Sequence, residues 1–500
     1  MTLAALTADA TPIAGHRPWP RFVVTESAWR AASEKLAAGE VTLFGLWGDM
    51  ACVHLALLDE PARDIAILSL DCADGRFPSI GASHPPAVRL ERAIQDLFGF
   101  EAAGAPDPRP WLDHGRWGAR APLGRPRDDL RPSTYAFLPV EGESLHQIPV
   151  GPVHAGIIEP GHFRFTASGD TVVRLEERLG YVHKGIEGLM TGADPDRGAK
   201  LAGRTSGDST VAYAFAFARA AEAALDIEAP PRAQMLRGLM AELERLANHF
   251  GDIGAICNDA AFVLMHAHCA VLRERVLRAA DACFGHRLMR DIIIPGGVAR
   301  DIDSAGAAQL REHTHDWRRR FRALVKLYDQ TTSLEDRTVA TGVLKPALAR
   351  QFGAGGFVGR ASGRAFDVRT ALPYPPYDRF VPETALLQQG DVDARVRIRI
   401  LEADQSLNLI EQIADNLPQG PLSTPITPRA GEGAGVVEGF RGDILIWLRL
   451  GASGAIERCH LRDPSWFQWP LLEVAIEGNI VGDFPLCNKS FNCSYSGHDL

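Results

Sequence analysis

The stretch His162-Phe-Arg-Phe-Thr-Ala-Ser-Gly-Asp-Thr-Val-Val-Arg-Leu175 decides how the chain divides. His162–Thr166 alternates, Ser168-Gly169-Asp170 is a turn, and Thr171–Leu175 returns, so the stretch predicts a β-hairpin. After it the period changes. Apolar residues recur at helical spacing over 208–226, 230–256, 260–284, 304–333 and 395–417. Pro231 stands in a first helical turn, where its missing N–H costs nothing. Ala212, Ala216, Ala220 and Ala223 form a stripe of small residues, which predicts close helix–helix approach in a bundle. Strands return at Ile444–Leu450 and Ile456–Leu461 around a turn at Gly451–Gly454.

Ahead of the hairpin, Thr25 is placed to cap a helix over Glu26–Ala38. Val41–Trp47, Cys52–Leu58 and Ile65–Leu70 read as strands, and a second helix runs through Arg89–Phe98 to Gly99. The short turns predict an antiparallel sheet rather than a nucleotide-binding βαβ unit. The expected fold class is α+β. Residues 1–20 read as a flexible tail, 21–103 as a small α+β domain, 104–150 as a Pro/Arg-rich linker, and 151–500 as a mainly α helix-bundle domain with flanking β-hairpins.

Composition sets bounds. A chain of 500 residues exceeds one compact core. Its 46% apolar and 23% charged residues are ordinary for a globular protein, and a net charge of −9 argues against nucleic acid as the main partner. The eight cysteines are scattered, and no two are separated by two residues, which suits a reducing compartment without a disulfide framework. No secretory leader, membrane span or Gly-x-Gly-x-x-Gly dinucleotide loop is legible.

Two motifs carry a family resemblance. Gly151-Pro-Val-His-Ala-Gly-Ile-Ile-Glu-Pro-Gly-His-Phe-Arg-Phe165 and Leu179-Gly-Tyr-Val-His-Lys-Gly-Ile-Glu187 resemble the large subunit of group 4 membrane-bound nickel–iron hydrogenases, of the formate hydrogenlyase and hydrogenase-4 type. They are also similar to the quinone-site subunit of complex I, the NADH-quinone oxidoreductase. Arg337-Thr-Val, Arg360-Ala-Ser-Gly363 with Asp367 and Arg369, Asp415–Pro421, Glu438-Gly-Phe-Arg-Gly442 and Arg462 continue the match in order. Phe77-Pro-Ser79 and Glu91–Gly99 resemble the small soluble complex I subunit, fused in front. The resemblance implies a hydrogenase-large-subunit-like domain in the large, C/D-like subunit of a membrane-associated, ion-translocating redox complex. The alternative is a non-catalytic structural or coupling subunit of such a complex. Implied partners are a small iron–sulfur subunit holding a 4Fe-4S cluster, and antiporter-like and anchor subunits in the membrane. The implied location is the cytoplasmic face of the inner membrane, through those partners.

The departures bear on function. The resemblance implies two Cys-x-x-Cys pairs, since a low-spin nickel–iron centre wants soft thiolates. Here Ser206 and Ser209 stand at the first pair and Ser494 and Gly497 at the second, with Cys493 one residue off register. No cofactor is therefore expected to bind this chain through metal ligands, and a quinone is the alternative occupant of the cavity. A tyrosine of the complex I branch maps to Gly207, so the quinone-protonating pair is incomplete although His154 is kept. His154, His183 and Glu187 are the candidate catalytic residues; His183 and Glu187 share a face if helical, so a proton can pass between them. Arg204, Ser206, Ser209, Asp367, Arg441 and Ser494 are the candidate cavity lining, with Arg369 read as structural and Tyr213 and Tyr495 placed by position only. Cys487, Cys493, His498 and Asp499 match no ligand spacing. Glu242, Glu244, Arg245 and His249 read as a solvated or salt-bridged helix face.

Overall fold

Thr25 caps the first long helix, Glu26–Ala37, its Oγ1 accepting from Ala28 N–H at 3.3 Å. The computed structural model describes residues 2–125, 135–154 and 158–500; part of the linker and residues 155–157 of the Gly151–Phe165 motif lie outside the described residues. Strands Thr42–Gly48, Cys52–Asp59 and Asp64–Asp71 form an antiparallel meander. The sheet is mixed rather than purely antiparallel, because Arg21–Val23 joins Asp64–Asp71 in parallel. Both faces are buried. Leu55, Leu57, Ala66 and Leu68 face a core with Trp29 and Phe163, whereas Ala56, Leu58, Ile65 and Ile67 face the core of the helical body. That explains why these strands are apolar throughout instead of alternating.

The first twenty residues are not a free tail. Leu3 and Leu6 are buried, Thr11–Pro12 pairs with Phe22–Val23, and His16–Arg17 runs parallel to Glu432–Gly433. The hairpin that opens the second part forms as its turn requires, between His162–Ser168 and Thr171–Arg178, and a third strand, Leu145–Val150, extends it into the former linker.

The helical body holds Thr210–Leu225, Pro231–Asp259, Val263–Phe284, Ser304–Asp329 and Val392–Asp415. The alanine stripe of Thr210–Leu225 meets a strand, Gly431–Gly439, rather than another helix. Gly431, Gly433 and Gly435 recur with the strand's period of two on the face toward the helix. A Cβ at Gly435 would stand 2.7 Å from Ala220 N and one at Gly431 2.9 Å from Ala224 C, so only glycine allows this approach. Gly442–Leu450 and Ile456–Arg462 complete that sheet.

The chain ends in helices, Ser465–Ala475, Phe484–Phe491 and Tyr495–Asp499, for which the sequence reading assigned no element. Its last residues are tucked inside. The Trp466 and His498 rings stack at 4.0 Å, and Leu500 O accepts from Lys184 N at 2.8 Å and Gly185 N at 3.0 Å. Leu486, Cys487, Phe491, Cys493, Tyr495 and Leu500 are buried within the chain, so this segment presents no extended apolar surface; Val153, Ile158, Tyr181 and Leu189 are exposed apolar side chains. No helix among the described residues is long and apolar enough to cross a membrane.

Candidate functional site

Two loops far apart in sequence meet at one cleft. Arg204–Ser209 leads into the helix Thr210–Leu225, and Ser494 opens the last short helix. The Ser206 and Ser494 hydroxyl oxygens are 2.9 Å apart across 288 residues of sequence. Ser206 also donates to Asp208 Oδ1 at 2.8 Å, and Gly497 N–H donates to Ser494 Oγ at 2.9 Å. Arg441 Nη1 donates to Asp208 Oδ1 at 2.7 Å and to Ser209 Oγ at 3.3 Å. All four positions where the resemblance implies thiolates thus join one hydrogen-bonded knot around an Asp208–Arg441 ion pair. The adjoining cleft, about 650 Å³, is lined by Ser206, Asp208, Arg441, Ser494 and Tyr495, together with Glu159, His266 and Lys489.

The cleft handles charge and protons. Burial would raise the Asp208 carboxyl, but the Arg441 guanidinium beside it holds it below the usual range. Behind it, Glu244 accepts from Val211 N at 2.7 Å and Ala212 N at 3.0 Å. Burial raises this carboxyl to about 8, overcoming those two bonds, with Asp208 adding to the shift. A folded-state pKa above the unfolded one means the native state holds the proton more tightly. The associated stability is full below the unfolded pKa and falls away as pH rises toward about 8. Glu244→Gln is accordingly expected to gain on the wild type as pH climbs from 5 to 8.5, by on the order of 4 kcal/mol, read from urea midpoints at each pH. A difference that stays constant with pH would show that Glu244 is ionised throughout.

Several expected residues sit elsewhere. Glu187 does not face His183. His183 precedes the short helix Ile186–Met190, gives Nδ1 to Asp499 O at 2.7 Å and stacks on Trp117. Glu187 turns inward to His460 Nδ1 and Arg458, both at 2.8 Å. Burial would raise its carboxyl, but Arg458 and His460 hold it down to about 2, so it is an ionised structural anchor. Arg204 is not a cavity residue; it pairs with Asp291 at the exposed surface. Asp367 is not one either, being buried against Arg369 at 2.7 Å and Arg360 at 3.5 Å. His154 is half-buried beside Phe163, its Nε2 without a hydrogen-bond partner among the described residues, outside the lining of the cleft. Ser206, Ser209, Ser494 and Arg441 do converge, as above. Tyr495 lines the cleft, while Tyr213 is buried and donates to Asp463 Oδ2 at 2.6 Å.

Sequence reasoning missed Asp208, Asp463 and Lys489, and of its reading of Glu242, Arg245 and His249 as a solvated or salt-bridged face only the ion pairing holds. Those three are fully buried in a charge network: Glu242 accepts from Arg369, Tyr377 and Ser406, and His249 bonds Glu402. No local signal reported this, because the helix Pro231–Asp259 carries a polar face in sequence and only packing buries nearly all of it, so that each charged residue there must find a partner.

Residues 259–428 match the family model of the respiratory-chain NADH dehydrogenase 49 kDa subunit, 184–251 that of nickel-dependent hydrogenase, and 44–129 that of the NADH dehydrogenase 30 kDa subunit. Formate hydrogenlyase subunit 5 of Escherichia coli K12 is 32% identical over 86% of this chain and 78% of its own length. The chain belongs to the formate hydrogenlyase and hydrogenase-4 family of hydrogenase-like large subunits. Hydrogenase-4 component G of the same organism is also 32% identical, over 89% of this chain and 80% of its own. The C/D subunit of the NADH-quinone oxidoreductase of Phocaeicola vulgatus is 27% identical over 74% of this chain and 77% of its own. A solved archaeal complex, the membrane-bound sulfane sulfur reductase, contains a chain matching 73% of this one at 25% identity with a TM-score of 0.67. As a formate hydrogenlyase-type large subunit, the chain is an oxidoreductase-complex component of mixed α+β fold.

Proposed function

We propose that this hydrogenase-like subunit works within a membrane-associated, ion-translocating redox complex and that its former metal position is a hydroxyl-lined cleft without a nickel–iron centre. The observation that carries this is the donor set. Ser206, Ser209 and Ser494 offer hydroxyls that do not ionise near neutral pH, and they are engaged with one another, Asp208 and Arg441. Position 497 supplies only a backbone N–H, and a Cβ there would stand 2.8 Å from Asp463 Cγ, so a thiolate side chain has no room while Asp463 keeps its place. These residues do not fit a soft-metal site.

In this reading the cleft accepts a small polar acceptor, such as a quinone headgroup, beside Arg441 and Lys489, and Glu244 stores a proton behind it. Electrons come from a 4Fe-4S cluster in a small iron–sulfur partner. Antiporter-like and anchor subunits hold the assembly at the cytoplasmic face of the inner membrane. The relatives' membership of membrane-bound complexes supports this placement. Purification of the native complex with elemental analysis tests it. Nickel far below one atom per chain, no hydrogen evolution, and reduction of an added quinone analogue are expected. Stoichiometric nickel with hydrogen evolution would overturn the reading, and a nickel-free complex that passes electrons to no acceptor would leave the chain a purely structural coupling subunit.

A further inference from the structure

The small domain carries a second cluster, remote in sequence from the cleft residues and independent of the reading above. In the hairpin Gly48-Asp-Met-Ala-Cys-Val-His54, Cys52 and His54 are two apart on one strand and so share a face, and Asp49 lies across the turn. Cys52 Sγ is 3.6 Å from His54 Nε2, and His54 Nε2 is 3.6 Å from Asp49 Oδ2. All three ligand atoms lie within 4.8 Å of one another. A tetrahedral zinc ion, with bonds of roughly 2.3 Å to sulfur and roughly 2.0 Å to nitrogen and oxygen, holds sulfur and nitrogen roughly 3.5 Å apart and nitrogen and oxygen roughly 3.3 Å apart. Two edges of the ligand triangle therefore already have nearly the lengths the ion requires. This is the group of three or more His, Cys, Asp or Glu side chains among the described residues that meets that spacing.

We propose that Asp49, Cys52 and His54 form a binding site for a zinc-type divalent cation, with the fourth position open to water at the half-exposed Cys52. The surroundings are those of a built site. His54 is held between the Trp47 and Trp447 rings, at 5.3 and 5.0 Å. Its Nδ1 bonds Ser69 Oγ at 2.8 Å, and the tautomer that donates there presents the Nε2 lone pair to Cys52 and Asp49. Ser69 Oγ is itself fixed by Arg21 Nη1 at 3.1 Å. Arg449 reaches over from the carboxy-terminal sheet and orients the Asp49 carboxylate with bonds of 2.6 and 3.1 Å. Oδ1 also accepts from Met50 N at 2.7 Å, so Oδ2, the oxygen facing His54, is the one that keeps a lone pair for a cation. Charge balances as well. Arg21 is paired with Glu432 and Arg449 also with Glu457, so Asp49 and the thiolate that forms on binding, with its proton released to solvent, offset the cation's two charges. Because Arg449 belongs to the other sheet, the ion would tie the small domain to the hydrogenase-like body.

The test is cobalt titration of the chelator-treated full chain in its native complex, followed by the thiolate-to-cobalt absorption band. One equivalent per chain is expected, with zinc displacing it and raising the thermal midpoint. Cys52→Ser, a conservative change at a half-exposed position, is expected to abolish the thiolate band and weaken binding at least 100-fold, with the circular dichroism unchanged. Ser69→Ala, which removes only the imidazole's support, is expected to weaken it roughly tenfold. No cobalt band, a band that survives Cys52→Ser, or an affinity that Ser69→Ala leaves unchanged would each overturn the site.

Discussion

A chain carrying Ser206→Cys and Ser494→Cys closes a disulfide on mild oxidation. The two hydroxyl oxygens stand 2.9 Å apart, and replacing each by a larger sulfur brings the pair within reach of a bond of about 2.05 Å after small side-chain rotations. The bridge would span 288 residues, and the chain-entropy relation puts the resulting stabilisation at about 6 kcal/mol relative to the reduced form. Neither serine is exposed, so the reaction proceeds without intermolecular competition. Peptide mapping that joins the segments around 206 and 494, and a urea midpoint higher in the oxidised than the reduced protein, are the readouts. Free thiols at both positions after oxidation would mean that the two loops do not meet, and the cleft would lose its geometry.

Arg360→Met is expected to destabilise the protein by about 4 kcal/mol at pH 7.5, the usual scale for stranding a buried charge. Arg360 is fully buried and reaches Glu402 at 2.8 Å, Glu438 at 2.9 Å and Asp367 at 3.5 Å. Burial holds Glu438 above the ordinary carboxyl range, with Asp367 adding to the shift, even while the guanidinium is present. Once the cation is gone, Glu438 takes a proton more readily still. A carboxyl whose folded pKa is raised contributes stability that is present at low pH and lost as pH rises, so the defect should shrink at pH 5.5 and largely vanish when Glu438→Gln is added. Urea unfolding of the single and double variants at both pH values measures this. A single variant as stable as the wild type at pH 7.5 would show that the carboxylates are solvated and the network is not buried.

An α+β part followed by a helical part, with the long helices and the hairpins, was legible. Thr25, Gly99, Pro231 and the turn at Ser168–Asp170 act through local chemistry, a cap, a left-handed terminus, a first-turn proline and a tight turn, and each sits where the sequence places it. The order of motifs from Gly151 to Arg462 carried the family, and the lack of paired cysteines was enough to single out Ser206, Ser209 and Ser494.

What only the tertiary structure decided lies at long range. The alanine stripe of Thr210–Leu225 looks the same whether its neighbour is a helix or the glycine strand Gly431–Gly439, because the stripe records close approach and not the partner. Glu187 shares helical spacing with His183, but a buried His460 and Arg458 from a distant strand capture it. Asp208 beside Arg441, Asp463 in the space next to Gly497, and Glu244 beneath the helix start come from segments far apart in sequence, and no spacing rule reports their meeting. Side-chain identity and period are properties of a few neighbouring residues, so the sequence by itself determined the elements and the chemistry available. Which charges neutralise one another inside a low-dielectric core depends on distances between segments hundreds of residues apart, and those exist only once the chain has packed.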